Sequence, residues 1–152
     1  MDNESLKNIL SEWAEGLEWE EGPQFLHVRV PAGALHKFAR KLKSDKQTAF
    51  DYLFCLTGVD WPDCMEVVYH LESTQHGHKL VMKSRTEGRE DPALDTVCDI
   101  WPTADPHERE VFDLFGIRFK NHPDLRRILL TDEWEGYPLR KDYKDEINMI
   151  EL

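Results

Sequence analysis

The run Glu108-Arg109-Glu110-Val111-Phe112-Asp113 places three carboxylates within six residues of a helical pattern. Paired carboxylates can work as general acid and general base when their surroundings separate their pKa values. No nucleophile or metal-ligand set accompanies them, and no GxSxG elbow occurs. Ion pairing is therefore the favoured reading, either between Arg109 and Asp113, four residues apart, or with a partner's bases. His76 and His78 stand two apart beside His70 and can share one face of a strand. No cysteine or second histidine pair is placed to complete four ligands, so an exposed polar turn is favoured over a metal site. Cys64 has Asp63 and Glu66 as neighbours, whereas a reactive thiol needs nearby cations or a helix N-terminus, so an inert thiol is expected. The sequence contains no GxGxxG, GxxxxGK[ST] or CxxC pattern, which leaves phosphate, dinucleotide, zinc-ribbon and iron–sulfur sites without a motif. The most unusual run is Asn121-His122-Pro123-Asp124-Leu125-Arg126-Arg127, a turn followed by paired arginines. Planar guanidinium groups suit bidentate carboxylate pairing at an interface.

The elements that must position these residues follow from hydrophobic spacing. Leu6, Ile9, Leu10 and Trp13 lie on one helical face, with Asn3 as a cap and Gly16 as a stop. Leu26, Val28 and Val30 alternate with polar residues as a half-buried strand does. Pro31 suits a first helical position, and Leu35, Phe38, Ala39 and Leu42 repeat the helical spacing. Phe50–Val59 is apolar on both faces, which predicts a central strand. Residues 65–73 and 78–85 predict two more strands, joined as an antiparallel hairpin by Gln75-His76-Gly77. This order implies an α+β fold, a two-layer domain with a mixed sheet and helices on one face. The polar stretch 86–96 reads as a surface loop near the end of the compact body.

Asp105-Pro106-His107-Glu108 predicts a helix start, and Gly116 a left-handed stop. About 36 residues with little periodicity follow, holding Trp134, Gly136, Tyr137, Pro138 and Tyr143. Trp, Tyr and Arg are enriched at interface hot spots, so this segment reads as an extended arm on another protein. The expected division is an α/β domain over 1–103, able to fold alone, and a short helix plus partner-binding arm over 104–152.

Composition narrows the function classes. The 152 residues suit one domain with a real core. A net charge of −11 opposes nucleic-acid binding through Arg118, Lys120, Arg126 and Arg127, and opposes attachment to anionic lipid. Residues 1–24 carry seven acids and one base, Lys7, whereas 118–127 carry four bases and one acid. An acidic body with a basic arm points to a protein partner. No signal peptide and no apolar run near the roughly 18 residues of a spanning helix is visible, so direct membrane insertion is not expected. Three widely spaced cysteines fit a reducing compartment. A free-standing hydrolase using Glu108, Glu110 or His122 is the competing class.

Taken together, Glu108 through Phe119, His122 through Leu129 and Gly136 through Tyr143 resemble the signature of the 30 kDa subunit family of respiratory complex I, the C subunits of NADH-quinone oxidoreductases. The resemblance extends to Gly58-Val59-Asp60 and Asp99-Ile100-Trp101-Pro102 and covers most of the chain. Pro106 replaces the family's usual aromatic, Phe112 stands where Tyr is common, and Lys144 replaces a usual Pro. The resemblance implies a non-catalytic assembly subunit of the peripheral arm of a proton-translocating quinone oxidoreductase. Such a protein lies on the cytoplasmic face, beside the quinone-site and iron–sulfur subunits, and has no catalytic, metal or cofactor-binding residues and no cofactor of its own. The alternative is the equivalent subunit of a membrane-bound hydrogenase or formate hydrogenlyase. The partner interface is expected at Glu108, Arg109, Glu110, Asp113, Gly116, Phe119, His122, Pro123, Asp124, Arg126, Arg127, Trp134, Gly136, Pro138, Leu139, Arg140, Lys141, Asp142 and Tyr143. The chain stops soon after the closing motif, as a stand-alone subunit would.

Overall fold

The computed structural model describes residues 2–22 and 24–144; the last residues of the expected arm, 145–152, lie outside them. Helix α1 (Asn3–Ser11) buries Leu6 and Leu10, and Asp2 rather than Asn3 caps it by accepting from the Ser5 amide. That bond holds the Asp2 carboxyl below its ordinary range. The helix stops at Ser11, before Gly16. Strand β1 (Glu18–Glu21) follows, then β2 (Leu26–Arg29). Pro31 precedes a single 3-10 turn, Ala32–Ala34, and α2 (Leu35–Ser44) buries Leu35, Phe38, Ala39 and Leu42. Burying a large apolar side chain of this kind contributes roughly 1.5–3 kcal/mol.

Strands β3 (Tyr52–Asp60), β4 (Met65–Glu72) and β5 (Lys79–Arg85) form an antiparallel meander, and β2 joins β5 in parallel. The sheet order is β1-β2-β5-β4-β3. It is a mixed five-stranded sheet in an α+β fold. Strand β3, expected at the centre, is an edge strand. Its outward side chains Tyr52 and Phe54 are apolar yet exposed, which makes the run look like a strand covered on both faces. Met65, Val67, Tyr69 and Leu71 of β4 are fully buried on the core face. On the opposite face, Arg29 bridges Glu18, Glu20 and Glu66, while Arg85 joins the same Glu66.

The stretch read as a surface loop contains β6 (Ala93–Asp95), which pairs in parallel with β7 (Arg118–Lys120). Leu94 and Phe119 from this pair are buried, as are Ala104, Val111 and Ile117, in the same cluster as the sheet's apolar face. The division expected at 103/104 therefore separates residues that share one core. Helix α3 (Ala104–Phe115) packs on β3 so closely that a Cβ at Gly58 would lie 2.9 Å from the Phe115 ring.

Candidate functional site

Helix α3 begins after Thr103, whose hydroxyl donates to the Leu53 carbonyl instead of capping the helix. It ends at Gly116, where φ of +78° permits the left-handed turn. Two of its four acids, Glu108 and Asp113, point inward. Glu108 is fully buried and accepts from the Thr96 hydroxyl and, at 3.2 Å, from the Val97 amide. Burial pushes its carboxyl up to about 7, against those hydrogen bonds, which lower it. A carboxyl titrating near neutrality suits proton transfer, but Glu108 is shut into the seam between α3 and the segment after β6. Glu110 is exposed.

Asp113, also fully buried, does not pair with Arg109. Its Oδ2 accepts from three successive amides, Ile128 at 3.1 Å, Leu129 at 2.7 Å and Leu130 at 3.0 Å. Its Oδ1 lies 3.2 Å from Arg127 Nη1. Arg109 instead donates to the carbonyls of Arg126 and Arg127. One carboxylate thus holds the basic run against the helix that precedes it. Helix spacing makes Arg109 the obvious partner; no sequence signal identifies three amides fifteen residues away.

The rest of the segment is fixed in the same way. Arg127 donates to the Gly136 carbonyl, and the Arg127 and Arg140 guanidinium groups lie 5.1 and 5.0 Å from the centre of the Tyr137 ring. Arg140 also donates to the Phe115 carbonyl, and the Leu139 amide to the Leu114 carbonyl. Tyr137 packs over Gly116, where a Cβ would lie 2.6 Å from its ring. The buried Asp60 accepts from the Lys141 amide at 2.8 Å and pairs with Arg89, which reaches Asp142 at 3.2 Å. Arg126 makes an exposed bidentate pair with Asp124 at 2.8 Å, which holds the Asp124 carboxyl low. Pro123, Trp134 and Leu139 face outward, and Pro138 and Tyr143 are half-buried. Of the residues expected at the interface, Glu108, Asp113, Gly116 and Phe119 are buried within this chain. The outward positions are Glu110, Pro123, Asp124, Arg126, Trp134, Gly136, Leu139, Lys141 and Asp142.

The structure brings together one trio that sequence spacing does not reveal. Ligating atoms of Cys98, Glu108 and His122 lie within 4.8 Å of one another. The protonation pattern opposes a metal. His122 Nδ1 accepts from the Asp124 amide at 3.0 Å, so a neutral ring carries its proton on Nε2, which lies 3.0 Å from Asp105 Oδ1 but is not aligned to donate to it. Ligating histidines normally donate through the nitrogen not bound to metal; here a metal on Nε2 would require an imidazolate, and Nδ1 is already engaged. Burial also pushes the Cys98 thiol up, away from the thiolate a metal needs. Cys64 is likewise pushed up, by burial and by Asp63. His76 and His78 stack, their Nε2 atoms each 2.8 Å from the Lys46 and Thr48 carbonyls respectively; His70 packs instead against Phe54.

Known proteins share this arrangement of sequence and fold. The C/D subunit of the Phocaeicola vulgatus NADH-quinone oxidoreductase is 47% identical over 126 residues, covering 82% of this chain and 24% of that protein. The C subunit of the Chloroherpeton thalassium NADH-quinone oxidoreductase is 50% identical over 105 residues, covering 68% of this chain and 43% of that protein. The chain thus spans about a quarter of the first relative and less than half of the second. Among solved structures, a chain of the membrane-bound sulfane sulfur reductase, an archaeal respiratory membrane complex, matches with a TM-score of 0.79 at 31% identity, covering 93% of this chain and 85% of that one. The family model for the respiratory-chain NADH dehydrogenase 30 Kd subunit matches residues 28–147, most of the sheet, α3 and the segment bound to it, and the chain belongs to that family.

Proposed function

We propose that this chain is a non-catalytic assembly subunit of the peripheral arm of a proton-translocating NADH:quinone oxidoreductase, held on the cytoplasmic side beside the quinone-site and iron–sulfur subunits. The observation that carries this reading is the use made of the motif residues. Asp113, Arg127, Arg140 and Asp60 anchor a C-terminal segment onto the body and leave its outer side exposed. Glu108, the acid best tuned for proton transfer, faces the protein interior. The relatives' names supply the electron acceptor. No helix among the described residues is long and apolar enough to cross a membrane, which fits attachment through other subunits. Likeness to the sulfane sulfur reductase chain supports a second reading, in which a related complex with a different electron donor, such as a membrane-bound hydrogenase or formate hydrogenlyase, uses this protein.

Gentle solubilisation of native membranes, affinity capture of this chain and mass spectrometry separate the readings. Co-purifying quinone-site and iron–sulfur subunits with an NADH-oxidising module support the first. Hydrogenase subunits in their place move the chain to the second. Recovery as a lone soluble monomer refutes both.

A further inference from the structure

Four of the seven large apolar side chains exposed among the described residues fall within twelve residues of sequence. Leu129 is 63% exposed, Leu139 52%, Ile128 40% and Trp134 36%. They are not on a frayed tail. The amides of Ile128, Leu129 and Leu130 converge on the buried Asp113 carboxylate, the Trp134 amide bonds the Thr131 carbonyl, and the Leu139 amide bonds the Leu114 carbonyl. Because the backbone is bonded inward, Ile128 and Leu129 are held outward, where each bears the hydrophobic cost of water contact. An ordered segment that exposes its apolar side chains is preorganised for a partner, since little further freedom is lost on docking.

The charge along this stretch identifies the kind of partner. Residues 128–139 contain three acids, Asp132, Glu133 and Glu135, and no base. All three acids are exposed. The bases at either end are engaged elsewhere: Arg127 with Asp113 and Gly136, Arg140 with the Phe115 carbonyl, and both with Tyr137. An exposed apolar stretch interspersed with acids complements a segment with apolar anchors and flanking cations, and rejects one flanked by acids.

We infer that Ile128, Leu129, Trp134 and Leu139, with the exposed Asp132, Glu133 and Glu135 among them in sequence, form a docking platform for an amphipathic segment of a neighbouring subunit whose apolar residues are flanked by Lys or Arg. This inference rests on the assembly role proposed above and names the chemistry of one contact in it. The test uses the full chain in native membranes, with a benzophenone amino acid in place of Leu129. The captured complex is irradiated and the cross-linked peptide identified. A cross-link to a partner segment with apolar residues flanked by at least two bases is the expected result. A cross-link to an acidic or uncharged segment, to lipid or to a second copy of this chain overturns the platform, as does the absence of a cross-link in an assembled complex. A chain recovered only as monomer overturns the assembly role itself, so the two failures are distinguishable. As a second measurement, Leu129→Asp should reduce incorporation about tenfold or more, the scale of a hot-spot loss, at an unchanged melting temperature of the isolated chain. Normal incorporation of that variant also overturns the platform.

Discussion

Replacing Asp113 with alanine tests the central claim, that one buried carboxylate holds the C-terminal segment on α3. Four donors lose their acceptor: the amides of Ile128, Leu129 and Leu130 at 2.7–3.1 Å, and Arg127 Nη1 at 3.2 Å. Hydrogen bonds to charged groups each contribute about 1.5–3 kcal/mol. These four share one acceptor and are not additive, and residues 128–130 lie near enough to the surface for water to recover part of the loss. The expected cost is therefore about 3–5 kcal/mol, the range for removing one partner of a buried ion pair. At this chain length that lowers Tm by roughly 6–20 °C. Asp113→Asn keeps one oxygen for the amides but turns an NH2 group toward Arg127, and should cost about 1–3 kcal/mol. Urea unfolding gives the global value, and amide hydrogen exchange at Ile128, Leu129 and Leu130 gives the local one. An alanine variant within about 1 kcal/mol of the parent, with unchanged protection at those three amides, would show that Asp113 does not hold the segment.

Three further outcomes are expected. Glu108 titrates near 4.5 when free and near 7 when folded; the folded chain holds that proton more tightly, so its contribution is fullest below pH 4.5 and declines as pH rises to 7, by roughly 3 kcal/mol in all. Glu108→Gln should abolish that slope, and parallel stability-versus-pH curves for the two proteins would contradict it. Gly116→Ala forces a side chain into a left-handed position and against Tyr137, so it should cost about 2–4 kcal/mol and quicken amide exchange at Leu139, while unchanged exchange there would disprove the close approach. Truncation after Ala104 removes Val111, Ile117 and Phe119 from the core, roughly 5–9 kcal/mol of burial, and circular dichroism should find no cooperative fold; a cooperatively melting fragment would restore the independent body expected from sequence.

Sequence is most legible where many residues repeat a pattern. Leu35, Phe38, Ala39 and Leu42 announce α2, and the β4–β5 hairpin follows from two apolar runs around Gln75-His76-Gly77. Three-residue strands have no period to detect, so β6 and β7 each rest on one buried side chain, Leu94 or Phe119, between less buried neighbours. The arm's arginines and aromatics suit a contact surface, but composition cannot say whether such a surface faces the same chain or another. Tyr137 lies between two arginines of its own segment, and Asp113 turns away from Arg109 to a backbone fifteen residues on. Leu129 belongs to the motif without standing out in it, because its exposure follows from the inward direction of its amide.

The sheet order carries a consequence for how the chain reaches this state. Strands β1 and β2 are sequence neighbours and pair with each other, as do β3, β4 and β5, so each group can form locally as the chain emerges. The two groups meet along one parallel seam, Leu26–Arg29 against Leu80–Lys83, which must close a loop of some fifty residues containing α2. Loop closure of that span is an entropic cost that precedes any gain from the seam's contacts. Arg29 crosses the seam to Glu66, and the Ser84 hydroxyl crosses it to the Val30 carbonyl. These are cross-seam contacts whose loss should appear as slower folding if docking of the two strand groups is rate-limiting, and as faster unfolding alone if it is not.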